Sequence, residues 1–174
     1  TGPEIGGTLV EIVGANFEMS QSTVAYIGPY PLTNVVVVAP ETLRGLTPSG
    51  SAIAGPRTVT IITQQGSGQL ENAFTYEARP IIEAVIPDGG PTSGGIPVTI
   101  RGQGFIAGTG FSIGSNPVPG VVITTVDAGI YEARGILPAA VAPGIVNVVA
   151  YNQNGLATMT GGFLYYAADG GVPT

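Results

Sequence analysis

The chain has 174 residues, 44% of them hydrophobic, with a formal net charge of −6, no Cys and no His; its five basic residues are all Arg. That composition excludes disulfides, thiolate nucleophiles and Cys-ligated metals, removes the commonest general base and metal ligand, and leaves no Lys for Schiff-base or isopeptide chemistry. A pI near 4.3 is also the wrong sign for tracking a phosphate backbone, so no nucleic-acid partner is expected.

Charged residues make up only 9% of the chain, against about 25% in an ordinary soluble domain. Its polar surface therefore rests on Thr, Ser, Asn, Gln and bare backbone, which suits a module that works outside the cell or inside an assembly. Twenty-eight Gly and fifteen Pro, without a triplet period, fit many short strands joined by tight turns. No apolar run reaches the ~18 residues of a membrane helix, so no membrane insertion is expected. No signal peptide is visible; Thr1 reads equally as the residue after a removed Met or as the start of a mature or recombinant fragment.

In chain order, residues 2–17 set a pattern that returns at residues 90–105, with half of the aligned positions identical. The identities are glycines, a proline and apolar residues, the types that fix turns and cores. Tyr26-Ile27-Gly28 is answered by Ser112-Ile113-Gly114, and Arg44-Gly45 before Pro48 by Arg134-Gly135 before Pro138. The strand at Thr58–Ile62 aligns with Ile145–Val149, and Phe74 and Tyr76 align with Phe163 and Tyr165. A period this long is a whole small domain and not a solenoid repeat.

Within each copy the apolar residues alternate, Val59 and Ile61 with Thr58 and Thr60, Val98 and Ile100 with Thr99 and Arg101. Alternation predicts half-buried strands, and no stretch carries a capped helical stripe, so the fold class is all-β, an antiparallel sandwich made twice. The boundaries fall at residues 1–79 and 80–168, with a tail at 169–174. Pro80 restricts Arg79 to extended conformations, so the short junction predicts an end-to-end arrangement with limited hinge freedom.

Two features of the pattern differ between copies. The second opens with a strand-like run from Pro80 to Pro87, whereas only Thr1 precedes Gly2. The first sandwich is thus expected to lack its opening strand, either because the boundary is trimmed there or because another chain donates one. In addition, the apolar run Val35–Ala39 reads as surface awaiting a partner.

The run Ile81-Ile82-Glu83-Ala84-Val85-Ile86, then Gly90-Pro91-Thr92-Ser93-Gly94-Gly95, Val98-Thr99-Ile100-Arg101-Gly102 and Phe163-Leu164-Tyr165, closely resembles the IPT/TIG domain. This is an immunoglobulin-like fold of plexins, some transcription factors and many bacterial surface proteins. The resemblance covers nearly all of both copies and implies two tandem immunoglobulin-like β-sandwiches. Phe17 and Phe105 are expected as core plugs, and Gly102 and Gly104 as turn formers.

No residues assemble into a catalytic motif: the eleven acids are scattered, and an enzyme is not expected. Glu77, Glu83 and Asp88 lie near the junction, where oxygen ligands suit a calcium ion, but no D-x-D-x-D loop accompanies them and they read as turn acids. The Gly-rich stretches at 66–68 and 102–104 open no helix and carry no phosphate-binding Lys. No metal or cofactor is expected. Among the seven Tyr, Tyr76 and Tyr165 are expected in the cores. Tyr30, held between Pro29 and Pro31, and Tyr166, next to an inward Tyr165, are the binding candidates.

The resemblance implies a structural or adhesive module displayed on a bacterial surface. Sparse charge and the Thr1 start extend this to the decoration of a phage virion, with protein partners or self-assembly. The alternative is an accessory carbohydrate-binding module, with Tyr30 and Tyr166 stacking on a glycan.

Overall fold

The computed structural model describes residues 1–17, 19, 23–48 and 54–167. The predicted tail at 169–174 and residue 168 lie outside the described residues. The chain divides into two compact units, Thr1–Ala78 and Arg79–Thr174. Every regular element among the described residues is a strand.

Unit 1 contains β1 (Gly2–Pro3), β2 (Leu9–Val13), β3 (Val24–Ile27), β4 (Tyr30–Pro31), β5 (Thr33–Ala39), β6 (Thr42–Leu46), β7 (Gly55–Thr63) and β8 (Gly66–Glu77). They form a five-stranded sheet in the order β1-β8-β7-β3-β4 and a three-stranded sheet β2-β6-β5. All pairings are antiparallel except β1 with β8.

Unit 2 repeats this with one strand more. Its elements are β9 (Ile81–Ile86), β10 (Gly89–Pro91), β11 (Pro97–Gln103), β12 (Gly110–Ile113), β13 (Asn116–Pro117), β14 (Val122–Asp127), β15 (Ile130–Ile136), β16 (Gly144–Asn152) and β17 (Gly155–Tyr166). The sheets run β10-β17-β16-β12-β13 and β14-β15-β11-β9. Strand by strand, β10 to β17 match β1 to β8; β9 has no counterpart among the described residues of unit 1.

Inward residues of both sheets make each core, as strand alternation requires. In unit 2, Val98, Ile100 and Ala133 meet Phe111, Ile113, Val148, Ala150, Phe163 and Tyr165. In unit 1, Leu43 meets Ala25, Ile27, Ile61, Phe74 and Tyr76. Phe17 and Phe105 are buried in their respective cores. Phe105 lies edge-on to Phe111 at 4.9 Å. Each plug follows a residue in the left-handed region, Asn16 at φ 61° and Gly104 at φ 68°, which reverses the chain and turns the ring inward.

One alignment drawn from the sequence is corrected by the pairing. Ile27 faces Val59 and Ile113 faces Val148, while Gly55 faces Tyr76 and Gly144 faces Tyr165. Val59 therefore answers Val148, two residues beyond the Val146 that the alternating pattern suggested. A period-two pattern looks the same after a slip of two, so side-chain chemistry alone does not fix this register.

Candidate functional site

Among the described residues no three acids cluster to hold a metal ion. Ion pairs lie on strand surfaces: Arg44 Nη2 to Glu11 Oε2 at 2.7 Å and Arg134 Nη2 to Glu132 Oε2 at 2.8 Å. Four arginines, Arg44, Arg57, Arg101 and Arg134, are strand residues, and Arg79 lies just before β9.

Tyr76 and Tyr165 sit at equivalent core positions, 1% and 0% exposed. Burial raises the pKa of both hydroxyls; for Tyr76, nearby Tyr30 adds to the rise and Arg57 opposes it. The Tyr165 hydroxyl donates to the Pro138 carbonyl at 2.8 Å. The Tyr76 hydroxyl has no partner among the described residues.

The two binding candidates are both half-buried. Tyr30 is a strand residue opposite Ile27, and its ring stands edge-on to Tyr76 at 6.1 Å and 88°. It packs against the core of unit 1. Tyr166 ends β17 opposite Pro91. The two belong to different units.

Two other surfaces of unit 1 stand out. The first is the outer face of the three-stranded sheet. On β5, Val35 and Val37 pack against the core while Val36 and Val38 are 58% and 46% exposed. On β2, Leu9 and Val13 are 65% and 75% exposed. Glu11, Arg44 and Val36 lie side by side across the three strands, so an ion pair sits in the middle of an apolar surface. The matching positions for Leu9, Glu11 and Val13 in unit 2 are Pro97, Thr99 and Arg101, a more polar set.

The second surface is a cleft of about 750 Å³ that opens between β2 and the β7–β8 hairpin, lined in part by Val10, Ile12, Phe17, Ile61, Leu70 and Phe74. In unit 2 the corresponding place is taken by β9, which pairs antiparallel with β11 and packs against β16 and β17. Val85 of β9 faces Ile100 and is buried, and Ile82 packs onto the same core. Beneath this cover Val98 and Ile100 are each 1% exposed. Their counterparts Val10 and Ile12 remain only half-buried. The apolar sheet face was signalled in the sequence by Val35–Ala39 but not by Leu9 and Val13.

Comparison with known proteins agrees with this architecture. Mouse plexin-B3 is 29% identical over 127 residues, spanning 68% of this chain and 7% of the plexin. Human plexin-B3 is 27% identical over 104 residues, 60% of this chain and 5% of the plexin. The chain thus spans only a small part of these relatives' length. Among solved structures, the plexin A4 extracellular region aligns with 95% of this chain and 17% of its own at 17% identity, TM-score 0.46. SGBP-B from a complex xyloglucan utilization locus in Bacteroides uniformis aligns with 92% of this chain and 46% of its own at 19% identity, TM-score 0.41. The IPT/TIG domain model matches residues 1–76 and again residues 80–165. With one match over each sandwich, the chain belongs to the IPT/TIG domain family.

Proposed function

We propose that this chain is a non-catalytic structural or adhesive module, displayed on a bacterial cell surface or a phage virion, that works through protein–protein contacts. The observation that carries this reading is the outer face of the β2-β6-β5 sheet. There Leu9, Val13, Val36 and Val38 are exposed together around the Glu11–Arg44 ion pair. Isolated exposed apolar residues are ordinary, but a group of them on one flat sheet face marks a contact surface. The ion pair in its midst fixes the orientation of whatever docks, since a misplaced partner leaves charge facing apolar surface. Family membership and the sparse charge of the chain support display outside the cell.

The test has two parts. Antibody raised to this chain should label intact producing cells or particles without lysis; labelling confined to lysed material overturns the display. Replacing Val36 and Val38 by Thr, a strand-compatible polar change, should abolish the chain's incorporation into its native surface or particle. Unchanged incorporation overturns the role of this face. Glycan-array binding lost on Tyr30→Ala or Tyr166→Ala would instead establish the carbohydrate-binding alternative.

A further inference from the structure

We infer that the outer face of the five-stranded sheet of unit 2 binds a neutral glycan, with the Tyr151 ring as the platform on which a sugar ring stacks. This site is separate from the protein-contact face of unit 1, and either can fail without the other.

The first argument is geometry. Phe111 and Ala150 face each other on β12 and β16 and are both buried. Their neighbours Gly110 and Tyr151, also paired, therefore project outward. A Cβ built on Gly110 lies nearest to Tyr151 Cζ and 2.6 Å from both Cε2 and Oη. A carbon in the ring plane would be closer to one of the atoms bonded to Cζ than to Cζ itself, so this one lies along the ring normal. The Tyr151 ring thus rests face-down on the glycine and turns its other face to solvent, with the residue 49% exposed. Any larger residue at 110 would push the ring away. In unit 1 the matching pair is Val24 and Ile62, which makes no such platform.

The platform is also held in place. The Asn152 side chain donates to the Gly104 carbonyl at 3.0 Å and to Thr109 Oγ1 at 3.1 Å, and accepts from the Asn154 N–H at 2.9 Å. Thr109 Oγ1 in turn donates to the Ile106 carbonyl at 2.8 Å and accepts from the Ile106 N–H at 2.9 Å. Asn152 and Thr109 adjoin Tyr151 and Gly110 in sequence, so the two strands that carry the ring and its seat are tied together before any ligand arrives.

The second argument is the chemistry of the surrounding face. None of the five strands β10, β17, β16, β12 and β13 contains a charged residue, whereas the equivalent sheet of unit 1 carries Arg57, Glu71 and Glu77. Leu156, opposite Tyr151, is 60% exposed, and the next outward row is Ser112, Val149 and Thr158. An aromatic face attracts weakly positive C–H groups, and a pyranose with equatorial hydroxyls presents just such C–H faces while its hydroxyls reach the polar rim. An acidic glycan would call for Arg or Lys, and a protein partner is steered and registered by charge; this sheet supplies neither. Tyr30 lies in unit 1, and Tyr166 is ten residues from Leu156 along β17, so neither belongs to the platform.

The probe is a soluble neutral β-glucan, cast into native affinity gels and titrated against the full 174-residue chain, with polygalacturonate as the acidic control. Retardation by the β-glucan and none by polygalacturonate is expected. Tyr151→Ala should weaken binding at least about tenfold. Gly110→Val keeps the tyrosine but displaces its ring, and should weaken binding comparably; Val24 shows that this strand position accepts the side chain. Tyr151→Phe keeps the stacking face and should stay within about threefold of the parent, which separates lost stacking from lost folding. Tyr30→Ala, Tyr166→Ala and the Val36 and Val38 replacements should bind as the parent does. No retardation by the β-glucan, equal retardation by polygalacturonate, or undiminished binding in Tyr151→Ala or Gly110→Val overturns the inference. So does a dimer that Tyr151→Ala disrupts while the β-glucan leaves it intact, which would give this face to a second copy.

Discussion

Unit 1 and unit 2 share a strand order, a pair of phenylalanine and tyrosine anchors and much of their turn chemistry, yet their cores are finished differently. In unit 2, thirteen buried residues form one cluster that β9 closes along its side. In unit 1, eight described residues do so, and Val10 and Ile12, the counterparts of the enclosed Val98 and Ile100, are only partly covered. Along the edge of β2 the two differ by β9, which has no counterpart among the described residues of unit 1. The Gly-Gly turn, the alternating Val and Ile of β2 and the Phe plug are all kept in unit 1.

The comparison is broken most decisively at the plugs. Phe105→Ala should destabilise unit 2 by about 3–5 kcal/mol, because the ring is fully enclosed and the cavity cannot collapse. Phe17→Ala should cost unit 1 distinctly less, because that ring already borders the cleft. Denaturant-dependent hydrogen exchange at β16 and β7 amides reads each unit separately; equal losses would mean that the two cores are equally closed.

Next come the paired isoleucines. Ile100→Ala should cost about 2–5 kcal/mol, and Ile12→Ala about half that, in proportion to its partial burial. If a chain with residues 80–88 fused ahead of Thr1 brings the Ile12→Ala cost up to that of Ile100→Ala, the strand alone accounts for the difference.

A smaller contrast lies at the closing tyrosines. Tyr165→Phe removes the donor to the Pro138 carbonyl and should cost about 1 kcal/mol. Tyr76→Phe removes a hydroxyl with no partner among the described residues and should be close to neutral, or stabilising.

The same residues set the alkaline limit. Both folded-state pKa values lie above the ordinary 10.0 because burial disfavours the phenolate. Each unfolded Tyr releases its proton first, so this contribution is intact below pH 10 and is lost as pH rises through the folded values. A melting temperature that falls only above about pH 10, less steeply in Tyr→Phe variants, checks the sign.

Much of this fold was legible in the residues. The repeat of Gly, Pro and apolar positions revealed two sandwiches, since those are the residues that turns and cores constrain. Phe17 and Phe105 were readable as plugs because each follows a tight reversal. The exact match of β7 to β16 was not, because alternation is blind to a two-residue slip; the glycines that align the hairpins, Gly55 at φ 115° and Gly144 at φ 151°, carry that information instead. Tyr30 read as a loop residue between prolines, yet it pairs with Ile27 and so points partly inward. The sheet face around Glu11 and Arg44 requires three strands to meet, which no single segment of sequence displays.

The placement of the arginines has a consequence for proteolysis. Trypsin cleaves after Lys or Arg but is blocked when proline follows. This chain has no Lys, and its one arginine outside a strand, Arg79, is followed by Pro80. The four cleavable bonds all lie within hydrogen-bonded strands, where the backbone cannot enter a protease without local opening. The folded chain should therefore withstand trypsin, and each first cut should report which sandwich opened: after Arg44 or Arg57 for unit 1, after Arg101 or Arg134 for unit 2.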